Sequence, residues 1–211
     1  AKVVGEKRGL MQNVLDFGGQ PEFSVKLLKD LASTTRDRIL FSMGTGPDLE
    51  SGKRVRGLLK ELCSEGGDIT AISQPRSSGF MFGLQSGLPF SGETWDKIRA
   101  MDLKGRLAAI RDQETRNKLI NEASGSKDSL PYNLVFWLGD EETPDYAAGA
   151  EKCVAEMSKE RGIHPSELFL NLSDESDGKT LFNYRMFNQN LEAAGEMFLS
   201  DRIFPGLGDA G

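Results

Sequence analysis

The sequence predicts an α/β fold in which parallel strands are joined by crossover helices. Short apolar runs bounded by glycine, proline, aspartate or asparagine alternate with segments whose apolar residues recur at helical spacing. The alternation is clear from residue 10 to residue 73 and returns from about residue 133 to residue 208. Strand–helix–strand connections of this kind favour a parallel sheet.

The predicted strands are short, largely apolar and mostly bounded by turn-forming residues. Pro205 weakens the last of them, since proline removes a backbone donor from the ladder. The predicted strands are Leu10–Leu15, Arg38–Met43, Asp68–Ser73, Asn133–Leu138, Thr180–Tyr184 and Arg202–Leu207.

Helices are predicted where apolar residues return every three or four positions. Residues 74–132 break the alternation and predict a helical and loop insertion, with a glycine-rich aromatic loop over Ser77–Gly83, within a single domain of residues 1–211. Barrel enzymes place substrate-covering elements in such excursions. The predicted helices are Pro21–Thr34, Asp48–Glu65, Trp95–Met101, Leu103–Ala123, Tyr146–Arg161, one beginning at Pro165, and Gln189–Leu199.

Composition narrows the class of protein. The net charge of -6 argues against nucleic acid as the main partner, because phosphate binding needs a concentrated basic face. No apolar run reaches the roughly 20 residues of a membrane span, and residues 1–5 do not resemble a signal peptide. Cys63 and Cys153 are interpreted as free thiols, with a disulfide as the alternative. Together these features predict a cytoplasmic protein without membrane or nucleic-acid partners.

Asp209 is the first candidate for a catalytic residue. An apolar strand runs into Gly208-Asp209-Ala210-Gly211, where small residues let a ligand approach the carboxylate closely. An aspartate at the carboxyl end of a barrel strand lies where catalytic groups cluster. There it could accept a proton from water and pass it to a leaving nitrogen. The alternative is a turn aspartate after an edge strand.

Ser73 ends another predicted strand, and Gln74 and Arg76 follow it. The serine and glutamine could form hydrogen bonds with a substrate, and the planar guanidinium could hold a substrate carboxylate. An ordinary loop with a surface arginine is the alternative. His164, which precedes a proline at a helix start, is interpreted as structural or solvent-facing, and the acidic segment 139–145 as a solvated loop.

The order of these motifs resembles the N-acyl-D-amino-acid deacylases of the metal-dependent amidohydrolase superfamily. The last motif is similar to the family's run G-x-x-D-[AG]-G-A-H, and the resemblance spans about residue 8 to residue 211. The segments that carry it are Asp68–Arg76 with Gly83-Leu84 and Leu88–Phe90, then Glu160–Leu168, Phe187–Asn190 and Gly206–Gly211.

The resemblance implies part of a TIM-type (β/α) barrel, roughly its fourth to eighth strands, with one or two divalent metals, usually zinc. It implies hydrolysis of a C–N amide bond in a small substrate such as an N-acyl-D-amino acid. A metal-bound water of lowered pKa attacks the carbonyl in such enzymes. Asp209 would accept the proton and contact the metal.

The sequence also departs from the family. The His-x-His metal motif has no counterpart, nor has the histidine after the fifth strand, where this chain has Phe41–Gly44. The family's Ala-His would follow Gly211. Since only Asp209 remains as a metal ligand, we expect the chain alone to be inactive and to bind zinc weakly or not at all. An incomplete barrel would leave strand edges uncovered, which predicts a homo-oligomer.

Three hypotheses follow from the sequence. The first is a fragment of a metal-dependent amidohydrolase. The second is a non-catalytic relative of the barrel that binds a small ligand or a protein. The third is an α/β enzyme of another kind that uses Asp209 and Arg76 without a metal.

Overall fold

The computed structural model describes residues 2–7, 9–14, 21–35, 38–64, 66–126, 130–141 and 143–206. Two compact units make up the chain. We call Ser78–Met186 the inserted unit, and the described residues before Ser78 and from Phe187 onward the flanking unit. Both contain helices and strands, which confirms the α/β class.

The elements are numbered in chain order. The strands are β1 (Leu10–Asn13), β2 (Arg38–Ser42), β3 (Asp68–Ser73), β4 (Ser78–Phe82), β5 (Val135–Trp137), β6 (Phe182–Phe187) and β7 (Ile203–Pro205). The α-helices are α1 (Lys2–Glu6), α2 (Pro21–Thr35), α3 (Glu50–Ser64), α4 (Glu93–Arg99), α5 (Leu103–Arg111), α6 (Gln113–Gly125), α7 (Val154–Arg161), α8 (Pro165–Glu175) and α9 (Leu191–Met197). Short 3-10 turns lie at Tyr132–Leu134 and Ala150–Lys152.

The sheet of the flanking unit is parallel, as predicted, with the strand order β1-β2-β3-β7. Alternate residues of β2 and β3 are buried, namely Ile39 and Phe41 on one strand and Ile69 and Ala71 on the next. These side chains form a hydrophobic core with Leu28, Leu59, Leu62, Met197 and Ile203.

Helices α3 and α9 of the flanking unit pack closely. Gly52 of α3 lies against the backbone of α9, and a Cβ at this position would overlap the carbonyl oxygen of Ala193. The close approach of these two helices therefore requires glycine at position 52.

The inserted unit contains a second sheet, with the strand order β4-β6-β5. The prediction of parallel strands is wrong for β5 and β6, which pair antiparallel. Two helices, α7 and α8, lie between them and are joined by a short turn at Gly162, which has φ 65°. After a single crossover helix, the next strand runs parallel to the first. After two successive helices, the chain enters the next strand from the other end, and the two strands are antiparallel.

The prediction of a glycine-rich loop over Ser77–Gly83 is wrong, because residues Ser78–Phe82 of this segment form strand β4. Phe80 and Phe82 suit a strand, and Phe82 is buried in the core. Gly79 interrupts the apolar pattern because a Cβ there would overlap the backbone oxygen of Tyr184. Glycine in this strand marks close contact between backbones rather than a turn.

Most of the predicted helices differ from the observed ones by one or two residues at an end, and two differ more. The segment predicted as one helix over Leu103–Ala123 forms α5 and α6. Asp112 ends the first and caps the second, since its side chain accepts the backbone N–H of Thr115 at 2.9 Å. The helix predicted from Tyr146 begins at Val154, after a short 3-10 turn.

The core of the inserted unit is aromatic. Phe169 lies at its centre, with ring centroids 5.0 Å from Phe182 and 5.3 Å from Phe90. Trp95 is fully buried and its indole N–H donates to the carbonyl of Leu119 at 2.9 Å. The polar atom of this large side chain is thereby satisfied inside the core.

None of the helices in the described residues has the length and apolar composition needed to cross a membrane. Both cysteines are free thiols, as predicted, with Cys153 buried and Cys63 half-buried.

We predict that Gly52→Ala destabilises the fold by about 1–3 kcal/mol, because the added methyl group forces α3 and α9 apart. Gly57→Ala on the same helix is the matched control, since the added methyl group would meet nothing within 4 Å apart from its chain neighbours and the backbone of its own helix. We expect Gly57→Ala to stabilise the protein by about 0.5–1 kcal/mol. Urea unfolding measures both changes, and equal effects of the two substitutions would contradict the close helix contact.

We predict that His164 makes stability depend on pH. Its Nδ1 accepts the N–H of Ser166 at the start of α8, at 3.2 Å. Burial lowers the pKa of His164 below its ordinary value, and Glu167 only partly offsets this. The stabilisation that neutral His164 gives to the folded state is therefore complete above the unfolded pKa of about 6.5, and it is lost as pH falls through and below that value.

The measurement is the free energy of unfolding between pH 7.5 and pH 5.5. His164→Asn keeps a good capping side chain but does not titrate. We expect a smaller loss of stability on acidification in this variant than in the wild type. An identical pH dependence in both proteins would refute the role of His164, the one histidine of the chain.

Candidate functional site

The carboxyl ends of parallel strands lie at one edge of a sheet, which is where α/β proteins usually bind ligands. In the flanking unit, backbone hydrogen bonds extend beyond the strands at this edge. Met43 N donates to Ile72 O at 3.0 Å, and Gly206 N donates to Ser73 O at 2.9 Å. The ends of β2, β3 and β7 are therefore held side by side. We call Thr45, Ser73, Gln74 and Asn188 the polar edge.

Asn188 connects the loops that follow β2 and β3. It is 1% exposed, and its Oδ1 accepts the backbone N–H of Thr45 at 2.9 Å. Its Nδ2 donates to Gln74 O at 2.6 Å and to Ser73 Oγ at 3.2 Å. Its backbone N–H donates to Thr45 O at 3.0 Å, and its carbonyl accepts the Ser77 hydroxyl at 2.8 Å. One side chain thus ties together two loops that are distant in sequence.

The backbone at Asn188 is left-handed, with φ 51°. This conformation costs a residue with a side chain on the order of 1 kcal/mol, and asparagine tolerates it better than most. Gly44 provides the space, because a Cβ at that position would lie 3.1 Å from Asn188 Oδ1. A larger residue at position 44 would therefore crowd the side chain of Asn188.

Ser73 and Gln74 lie at this edge, at the positions that the sequence predicted for substrate contacts. Ser73 is 3% exposed, and its hydroxyl oxygen accepts from Asn188. The Oε1 atom of Gln74 is buried and has no hydrogen-bond partner among the described residues. An unsatisfied buried acceptor costs about 1–3 kcal/mol, so this atom calls for a donor.

Arg76 is exposed, and its Nη1 donates to the carbonyl of its neighbour Ser77 at 3.3 Å. Its predicted role as a clamp for a substrate carboxylate stays a prediction. Asp209 lies outside the described residues, three positions after Gly206, the residue that bonds to Ser73. The catalytic role of this aspartate likewise stays a prediction.

The polar edge consists of hydroxyl and carboxamide groups. These groups are neutral, and they suit hydrogen bonding to a neutral ligand better than binding of a divalent metal. Among the described residues, no three histidine, cysteine, aspartate or glutamate side chains are grouped so that they could hold a metal ion. The described residues therefore do not fit a zinc site.

His164 lies in the inserted unit and caps α8, in agreement with its predicted structural role. Its ring packs edge-on against Tyr132 at 5.9 Å between centroids.

In the acidic segment, Asp140 and Glu141 are exposed, while Asp145 pairs with Lys152 at 3.2 Å.

Sequence reasoning did not assign roles to Thr45 or Asn188. Thr45 lies in Gly44-Thr45-Gly46, which lacks the lysine and the spacing of a phosphate-binding loop, so the local pattern gives it no role. Asn188 belongs to the motif Phe187–Asn190, which carried the family resemblance without any assigned function. One signal could have identified Asn188. Asn190 caps α9, since its Oδ1 accepts Glu192 N at 3.0 Å, so Asn188, two positions earlier, is not needed as the cap.

Comparison of the chain with protein-family models, with curated proteins and with solved structures found no match.

Proposed function

We propose that this chain is part of a hydrolase that cleaves a C–N amide bond in a small substrate such as an N-acyl-D-amino acid. The observation that carries the proposal is the convergence of polar groups at the carboxyl ends of β2, β3 and β7. A neutral amide is a ligand that hydroxyl and carboxamide groups can recognise through hydrogen bonds. The resemblance of the sequence motifs to the deacylases supports the same reaction.

The proposed architecture is an arc of a TIM-type barrel. Four adjacent parallel strands support it, with the pairings β1·β2, β2·β3 and β3·β7. In this proposal β3 and β7 are consecutive barrel strands, and the inserted unit lies between them in the sequence. Active sites of such barrels lie at the carboxyl ends of the strands.

In the proposed reaction, Asp209 accepts the proton of the attacking water and donates it to the leaving nitrogen. Ser73 and Gln74 bind the amide, and Arg76 binds the carboxylate of the amino acid. The family resemblance implies a divalent metal, but the described residues do not fit one. No step assigned to these residues passes through a metal.

The first test is binding of N-acetyl-D-leucine to the purified chain, followed by backbone NMR. We expect the largest shift changes at Thr45, Ser73, Gln74, Asn188 and Gly206. The carboxyl edge of the parallel sheet would then be the ligand site. Changes confined to the inserted unit, or no binding at millimolar ligand, would refute the proposal.

The second test measures hydrolysis of the same compound with added zinc. We expect no turnover by the 211-residue chain, and turnover by the longest reading frame that contains it. In that longer protein, Asp209→Asn is expected to lower kcat by at least about 100-fold with little change in KM. Binding without turnover in the longer protein would support the alternative, a non-catalytic barrel relative that binds small ligands.

A further inference from the structure

We propose that Asn188 is a positioning residue that presents the Ser73 hydroxyl as a donor and the Gln74 side-chain oxygen as an acceptor to one amide group of the ligand. The inference rests on the proposed function, because it names the atoms of the polar edge that recognise the amide. It also assigns a role to the motif Phe187–Asn190, which the reaction itself leaves unexplained.

The first step concerns the direction of the hydrogen bond at Ser73. Asn188 Nδ2 can only donate, so Ser73 Oγ accepts at 3.2 Å. Asn188 Oδ1 accepts from Thr45 N at 2.9 Å, which fixes the orientation of the carboxamide. The hydroxyl proton of Ser73 is therefore left to donate, and a ligand carbonyl oxygen is a suitable acceptor.

The second step concerns Gln74. Its side-chain oxygen is buried and unpaired among the described residues, and a carboxamide oxygen only accepts. The missing partner must therefore be a donor. Ser73 and Gln74, which are consecutive in the chain, thus offer one donor and one acceptor, and these are the two kinds of group that the C=O and N–H of a secondary amide require.

The third step concerns what holds this pair. The Gln74 carbonyl accepts from Asn188 Nδ2 at 2.6 Å, so the backbone that carries the glutamine side chain is fixed by the same group that orients Ser73. Asn188 itself is held by three hydrogen bonds to Thr45. Asn188 acts on the ligand through Ser73 and Gln74 and does not need to touch it.

The decisive measurement compares two ligands that differ at one atom. One is N-acetyl-D-leucine, and the other is its ester analogue, in which oxygen replaces the amide N–H. If Gln74 accepts that N–H, the wild-type chain binds the amide at least about 10-fold more tightly than the ester. Equal affinities would overturn the inference even if both ligands bind at the polar edge.

Asn188→Asp tests the positioning role. The aspartate keeps an acceptor for Thr45 N, but its second oxygen accepts the Ser73 proton and repels the Gln74 carbonyl. We expect the Kd of the amide to rise at least about 10-fold and the amide-to-ester preference to fall to about 1–2-fold. A merely structural role would weaken both ligands and leave their ratio intact, which would overturn the inference.

Asn190→Asp is the matched control, because aspartate also caps helices well and position 190 caps α9. We expect its affinities and its amide-to-ester ratio to stay within about 2-fold of the wild type. If Asn188→Asp does not fold, Asn188→Gly replaces it, since glycine accepts φ 51° without strain. An unchanged ratio in Asn188→Gly would then overturn the inference.

Gln74→Met gives an independent test. Methionine has a similar volume but no carbonyl, so the buried unsatisfied acceptor disappears. We expect a protein at least as stable as the wild type that has lost the amide-to-ester preference. Retention of the preference would overturn the inference, whereas failure of the wild-type chain to bind N-acetyl-D-leucine at all would refute the proposed function.

Discussion

The arrangement of the flanking unit depends on the pairing of β3 with β7. Ala71 N donates to Arg202 O and Gly206 N donates to Ser73 O, both at 2.9 Å, although the whole inserted unit separates the two strands in the sequence. The two ends of the inserted unit lie together, since a Cβ on Gly79 would lie 3.0 Å from Met186 N. A segment whose ends are close can be inserted into a domain without breaking the pairing of its host.

Strands of the flanking unit could be predicted closely because their signals are local. Asp68–Ser73 forms β3 with the predicted bounds, since apolar residues alternate after Gly66-Gly67. The direction of β5 relative to β6 was predicted wrongly, because it depends on how many helices lie between them. The sequence contained that signal in Gly162 and Pro165, which end one helix and begin another within three residues.

Within the candidate site, local reasoning points to Ser73 and Gln74 because they lie at the end of a recognisable strand. It could not find Asn188, whose partner Thr45 lies 143 positions away. A carboxamide in a left-handed turn has a clear role only when the groups around it are known. The sequence therefore predicts which strand ends carry polar residues, whereas the hydrogen bonds that orient them depend on the tertiary structure.

Stability alone does not explain the polar edge. Asn188 satisfies backbone groups of two loops and so contributes to stability despite its φ of 51°. Gln74 is different, because its buried oxygen costs about 1–3 kcal/mol and an apolar side chain of the same size would avoid that cost. Such a cost is a large part of a net stability of about 5–15 kcal/mol. Among the other unsatisfied atoms, Ser158 Oγ and Ser173 Oγ lie within helices of the inserted unit, whereas Asn13 Nδ2 lies at the carboxyl end of β1. Gln74 Oε1 also lies at the carboxyl end of a parallel strand, where an unpaired acceptor is useful if a ligand supplies the donor.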